Sequence, residues 1–434
     1  MGARLTPLFV RSQGGDTCQR LHLLGRELIV EVRRVSAAAP LLLLLAFLTA
    51  CGGVSHTPAA TKVTLTAPTR SASIPQTTTL IPDGSNPQPE PLLQFVSPST
   101  GWLVDPTKAG RILGTTDGGR NWWTSFNGPL STQSEAGAVK NIDFVNESDG
   151  WALLYGRGLI ATQDGGRRWS APAEPTEGPI VTFTFTGRDA GWAITDQGTL
   201  LQTLDSGRSW GTVKTPVTAI TLCSAASGRL WLGGDDGNIY VSQDAESWSL
   251  SFSRSQVAPP FARPSEAPQV GPWMACSGQS AWALYQWGEN VGSDPFVVER
   301  TLDGGENWGQ LVTPNSQSLV PPNPQVALNT PIDIGVIGAT SAWILGYCGP
   351  CLTGSTSLVV TAGGTTFSGS PLSTATDIDA LPVDVTFDDP LHGWAALREY
   401  PTAKAGSASA ETTVILATTD GGTTWTVVDR KVEG

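Results

Sequence analysis

Histidine is almost missing from this chain: 434 residues carry three, and only His56 and His392 lie beyond the N-terminal segment. Neither sits in a spacing that would hold a metal ion, so no metal and no cofactor is expected. Tyrosine is scarce too, at five residues, none of them in a recognisable acid/base setting. A basic excess is lacking. Without residues 1–51 the chain has 20 basic against 35 acidic groups, which excludes nucleic acid as a partner, since that would call for a basic face. No long helical pattern occurs. The one strongly apolar run, Ala37 to Ala50, falls short of the roughly 20 residues that span a bilayer.

What the chain has is tryptophan in a period. Thirteen of sixteen tryptophans occupy two positions of a unit that recurs seven times. The first ends an apolar strand: Trp102, Trp151, Trp192, Trp231, Trp282, Trp343 and Trp394. The second closes a turn of pattern Thr/Ser-x-Asp-x-Gly-x-x-Trp, at Trp122, Trp169, Trp210, Trp248, Trp308 and Trp425, with Phe367 in the remaining unit. A large apolar residue stands seven positions before most of the first set, as Phe95, Phe144, Phe185, Val336 and Phe387. Each unit offers four short β-rich runs separated by Gly, Pro, Asp and Ser. Seven such units over residues 91–434 predict an all-β fold, a seven-bladed β-propeller of four-stranded antiparallel blades.

The turn aspartates Asp117, Asp164, Asp205, Asp244, Asp303 and Asp420 recur equivalently in separate units. That makes them hairpin residues bonding nearby backbone amides, not a catalytic set. No catalytic residue is assigned.

The turn is the Asp-box, or BNR repeat, and the chain over residues 91–432 resembles the Asp-box propellers: sialidases, the sortilin ectodomain and the photosystem II stability/assembly factors. The phrase Phe-x-x-x-x-x-Gly-Trp-Ala followed by Thr-x-Asp-Gly-Gly-x-x-Trp brings it nearest the last group. That resemblance implies a non-catalytic protein-binding or assembly module. The alternative it implies is an extracellular glycan-binding protein or a sialidase-like glycoside hydrolase. Against the hydrolase, no Phe/Tyr-Arg-Ile-Pro sequence carries a first substrate-binding arginine. The assembly factors are known for an arginine-rich patch across blades; Arg120, Arg167, Arg168 and Arg208 follow the aspartates of the first three boxes, so box placement puts them on one sector of the rim. A binding patch and solvated turn positions both fit.

Unequal unit lengths mark a second candidate. From strand tryptophan to box aspartate, units two to four take 13 residues, whereas Trp282 to Asp303 takes 21 and Trp394 to Asp420 takes 26. The added length predicts enlarged loops on blades five to seven, opposite the box turns, where binding function concentrates. Tyr285, Trp287, Glu289, Tyr347, Arg398 and Tyr400 fall there, with Trp287, outside the template, read as an exposed anchor. Loop growth without a partner fits the lengths equally.

Residues 1–51 read as a signal segment. Arg33 and Arg34 precede the apolar run, and Leu48-Thr49-Ala50-Cys51 resembles a bacterial lipobox, in which Cys51 is lipidated and begins the mature chain. The start lies downstream of Met1 on this reading, with residues before about 32 outside the translated chain. Residues 52–90 hold eight Thr, four Ser and six Pro with no aromatic residue, the composition of a disordered stalk. The whole is expected outside the cytoplasm, held to a bacterial membrane by an N-terminal lipid, with a protein or an extracellular glycan as partner. Two disulfides are foreseen, Cys223 with Cys276 between neighbouring blades and Cys348 with Cys351 locally; a Cys-x-x-Cys redox site would need a βαβ context that is missing here.

Overall fold

The computed structural model describes residues 18–23, 26–31 and 92–432, apart from 107, 109, 129–135, 172–174, 226, 258–267, 269, 288–295, 313–329, 339, 348–355, 363–365, 373–379 and 400–411. The first two ranges form an antiparallel pair, Cys18–Leu23 with Arg26–Glu31, in a unit of its own. Cys51 with its lipobox, the Thr/Ser/Pro-rich stretch, Cys348, Cys351, Glu289 and Tyr400 lie outside the described residues.

Residues from Leu93 onward form seven antiparallel sheets. Blade one comprises Leu93–Phe95, Gly101–Val104, Arg111–Thr115 and Trp123–Asn127, each strand hydrogen-bonded to the next in sequence. The first strands of the other blades are Val139–Phe144, Ile180–Phe185, Ala219–Ser224, Val270–Ser277, Thr330–Ile337 and Ala380–Phe387. Six blades have four strands. In blade two, among the described residues, the place of the fourth strand holds a single bridge, Ala161 with Ser170.

The apolar core is divided into seven wedges, one between each pair of neighbouring sheets. The wedge of Leu93, Phe95, Leu103, Leu113, Trp394, Ala396 and Ile415 joins blade seven to blade one and closes the ring. Three junctions share one device. The strand indole lies flat on the first-strand phenylalanine of the following blade: Trp102 on Phe144 at 3.5 Å, Trp151 on Phe185 at 3.5 Å, Trp394 on Phe95 at 3.9 Å, all within 6° of parallel. The same indole N–H donates to the box of that following blade, at Gly165 O, Ser206 O and Gly118 O respectively.

This packing explains the glycine of Gly-Trp. Phe95, Phe144, Phe185 and Phe387 pair with Gly101, Gly150, Gly191 and Gly393, where an added Cβ would come within 2.2–2.6 Å of the phenylalanine ring. Where the first-strand residue is smaller, its partner grows: Ser224 faces Leu230, Cys276 faces Ala281, and Val336 faces Ala342.

Candidate functional site

Each Asp-box is a closed hydrogen-bonded turn. In blade one the Thr115 hydroxyl donates to Asp117 Oδ1 at 2.9 Å and accepts from Gly119 N at 3.0 Å. Asp117 also accepts from Asn121, through its side chain at 2.7 Å and its backbone N–H at 2.9 Å. The arrangement repeats at Asp164, Asp205, Asp303 and Asp420, and at Asp244 in a shortened turn. These bonds favour the ionised form. The side-chain bond from Asn307 leads those that hold Asp303 down to about 2, and the Ser247 backbone bond leads those that do the same for Asp244. Asp117, Asp164, Asp205 and Asp420 are lowered as well. A carboxylate held this low has no proton to give near neutral pH, and its Oδ1 is committed to its own turn.

The box turns share a face with the loops joining first to second strands. Gly118 N, Gly165 N, Ser206 N, Gly304 N and Gly421 N donate to the carbonyls of Ser99, Ser148, Asp189, Gln279 and Leu391. Arg120, Arg167, Arg168 and Arg208 stand on this face in three adjacent blades, all exposed. Their stems are held by local contacts: Arg120 Nη1 donates to Asp117 O at 2.8 Å, and the Arg167 guanidinium lies 5.9 Å from the centre of the Trp123 ring. The Arg168 backbone N–H donates to Asp164, and that of Arg208 to Asp205 O. Exposed guanidinium groups on rigid turns are suited to bind carboxylates bidentately.

The opposite face differs from the sequence expectation. Tyr285 is fully buried and Trp287 is 7 % exposed, so Trp287 is not the exposed anchor foreseen. The second strand of blade five runs Ser280–Gln286, longer than the corresponding strands of blades one to four. Part of the added length extends the sheet, and alternation carries Ala283, Tyr285 and Trp287 onto the wedge against blade four. The Tyr285 hydroxyl donates to Gly237 O at 3.0 Å. Arg398, half buried, donates from Nη2 to Pro106 O of blade one, which makes it part of the ring closure. Tyr347 ends the second strand of blade six.

A further set of residues sits at the junctions; apart from the Cys223–Cys276 bridge, which was foreseen and is present, sequence reading did not single them out. The first-strand residue opposite the strand tryptophan reaches the next blade one position further along. Gln94 accepts from Phe144 N at 2.6 Å and donates to Phe144 O at 3.0 Å, and Asp143 accepts from Phe185 N at 2.6 Å. At the junction from blade four to five the same two positions hold Cys223 and Cys276, joined as a disulfide. Asp384 completes the ring by accepting from Leu92 N and Leu93 N, both at 2.7 Å. Burial pushes Asp143 and Asp384 up to about 6 despite these bonds. Gln94, Asp143 and Cys223 share the register position opposite the strand tryptophan, whereas Asp384 lies opposite Ala396. Among the described residues no three His, Cys, Asp or Glu side chains come together as a metal site, and no helix is long and apolar enough to cross a membrane.

The family model of the photosynthesis system II assembly factor YCF48 matches residues 123–254, from the last strand of blade one to the end of blade four. No curated protein matches in sequence. Among solved structures, YCF48 bound to D1 peptide is 19 % identical with a TM-score of 0.49, over 77 % of this chain and 95 % of that one. YCF48 from Cyanidioschyzon merolae is 16 % identical with a TM-score of 0.36, over 77 % and 83 %. The GH74 xyloglucanase from Xanthomonas campestris is 16 % identical with a TM-score of 0.43, over 75 % of this chain and 58 % of that one. The chain is a seven-bladed Asp-box β-propeller, similar over its second to fourth blades to the photosynthesis system II assembly factor family.

Proposed function

We propose that this chain is an exported, lipid-anchored propeller that acts as a non-catalytic protein-binding or assembly module at a membrane surface. Its partner-facing surface is the arginine-bearing box face of blades one to three. The observation that carries this reading is the family match over residues 123–254, a span that contains Arg167, Arg168 and Arg208. The commitment of the box carboxylates to their own turns supports a module that binds and does no chemistry. Rigid turns presenting exposed guanidinium groups favour an acidic segment of a partner protein.

A photo-crosslinking residue placed at Arg168, and separately at Tyr155 on the opposite face, tests this in intact cells. Adducts with a protein segment are expected from position 168 and not from 155, and they disappear in an Arg167→Glu/Arg208→Glu background. Identical adducts from both positions would refute the assignment of the face. Mass spectrometry of the mature N-terminus tests the anchor separately: Cys51 is expected first in the chain and acylated, and an unmodified N-terminus elsewhere removes the anchor.

A further inference from the structure

The buried carboxylates of this ring differ in what they touch. Glu299, in the third strand of blade five, Phe296–Thr301, stands opposite Ala283, where the other blades place Leu113, Ile160, Leu201, Tyr240, Val359 and Leu416. Asp333 and Asp384 instead meet each other across the joint between blades six and seven, hydrogen-bonded side chain to side chain. They occupy equivalent places. In blades two to seven the first strand carries a bulge, and the residue after it pairs with the residue two beyond the strand tryptophan. Blades two to five put Asn141, Thr182, Thr221 and Trp273 there, none of which ionises. Blades six and seven put Asp333 and Asp384 there, each in the sequence Pro-x-Asp.

Asp384 collects donors. Its Oδ2 accepts from Leu92 N and Leu93 N of blade one at 2.7 Å each, its Oδ1 accepts from Val385 N at 2.6 Å, and Asp333 reaches it from blade six. An ionised carboxylate has no hydrogen to donate, so two carboxyls bond only while one of them holds a proton. The bond favours the ionised form of Asp384, which places that proton on Asp333. Burial pushes Asp384 up to about 6 against these bonds. Like charges in one site separate the two titrations, so the second proton leaves at higher pH than the first. The surroundings do not neutralise a second negative charge. Ile337, Leu345, Val385 and Leu397 fill the wedge of this joint. The neighbouring strands of blade six, Ser341–Tyr347 and Thr356–Ala362, bring Tyr347 as their one titratable residue. On blade one Asp105 is paired with Arg111, and on blade seven Glu399 is paired with Arg430 while Arg398 donates to Pro106 O. Asp388, Asp389 and His392 lie in the loop beyond the strand, the last two bonded to each other at 2.8 Å. The stacked ring pairs fasten other joints.

We propose that Asp333 and Asp384 form a one-proton latch that closes the joint between blades six and seven and releases it when alkaline conditions remove the shared proton. With the proton gone, two carboxylates at hydrogen-bonding distance repel each other inside an apolar wedge. The first strands Thr330–Ile337 and Ala380–Phe387 then part, while Asp384 keeps its bonds to Leu92 N and Leu93 N and with them the joint to blade one. A site that holds its proton more tightly closed than open favours closure at low pH, loses that advantage as pH rises, and is level once the closed form has lost the proton. The latch lies outside the arginine-bearing sector and works whether or not that sector binds a partner.

Amide hydrogen exchange of the full chain from pH 6 to 9, expressed as protection factors, compares wild type with Asp333→Asn, whose amide donates to Asp384 at every pH. In wild type the protection of Thr330–Ile337 and Ala380–Phe387 falls about tenfold for each pH unit, the slope of one proton, until the second proton has left, and is level above. In Asp333→Asn it changes by about twofold or less over the same range. The ratio of wild type to variant for Val139–Phe144 of blade two stays constant. The same pH dependence in both proteins would overturn the latch, as would a fall spread evenly over all seven blades. A ¹³C-carboxylate titration of wild type needs no variant. Both carbons report two shared steps, one near pH 6 and one above it. Two independent midpoints near the ordinary 3.8 also overturn the latch.

Discussion

The junctions around blades one to three and the junction between blades four and five fasten the same repeat in different ways. From blade seven through blade three, each joint stacks an indole on a phenylalanine, donates the indole N–H to the next box, and sets glycine opposite the ring. Between blades four and five none of these aromatic pairs is present. Cys276 stands where the phenylalanine would be, a disulfide replaces the polar clasp, and a charged residue enters the wedge. A joint made of stacked rings and filled glycine contacts leaves no room for a ligand. The covalent joint fastens two sheets whose wedge is filled instead by Trp231, Phe252, Tyr285 and Trp287, packed without a parallel indole–phenylalanine stack.

The comparison breaks most sharply at the tryptophans. Trp151→Ala removes a stacked ring, its carbonyl bond to Ser206 and a buried volume with little means of collapse, so a loss of about 3–5 kcal/mol is expected from urea unfolding. Trp282→Ala, equally buried but facing Val336 instead of an aromatic ring, is expected to cost less by about 0.5–1.5 kcal/mol, the worth of an aromatic pair. Equal losses would mean that stacking adds nothing to burial at these joints.

Cys223→Ser with Cys276→Ser comes next. The bridge closes a loop with a sequence separation of 53, and its removal is expected to lower stability by about 2–4 kcal/mol. Hydrogen exchange localises the effect. Amides of Ala219–Ser224 and Val270–Ser277 lose protection, and those of Val139–Phe144, clasped by Gln94, keep it. Uniform loss around the ring would show that the bridge acts on the unfolded chain alone.

The ring was legible in the sequence because its two tryptophan positions are set by geometry that every blade must satisfy. Phe-to-Gly spacing was legible for the same reason, although the clash that demands glycine needs coordinates to be seen. Trp287 was misread because a residue outside the template was equated with an exposed one. The longer second strand of blade five continues the inward alternation by one more step, and that extension depends on strand pairing that has no local sequence signature. Glu299 was visible only as one acidic residue among 38. Its singularity appears once strand register aligns it with six uncharged positions in the other blades.

The smallest expected effect concerns that residue and has a definite sign. Burial raises Glu299 from an ordinary value near 4.5 to about 7, so the fold prefers the protonated form. A raised carboxyl contributes its full stabilisation below pH 4.5, loses it progressively as pH rises toward 7, and is level above. With an allowance for solvent screening, the loss across that window is about 2 kcal/mol. Asp143 and Asp384, raised to about 6, slope the same way, while the box aspartates, all lowered, act in the opposite sense below about pH 4. The informative quantity is therefore the difference between wild type and Glu299→Gln in urea unfolding from pH 4.5 to 8. That difference should grow in favour of the variant up to pH 7 and then flatten. Leucine serves the equivalent place in blades one, three and seven, so an uncharged side chain fits this register position. A pH-independent difference would return Glu299 to the status of an ordinary packed side chain and remove the energetic reason for treating its joint as distinct.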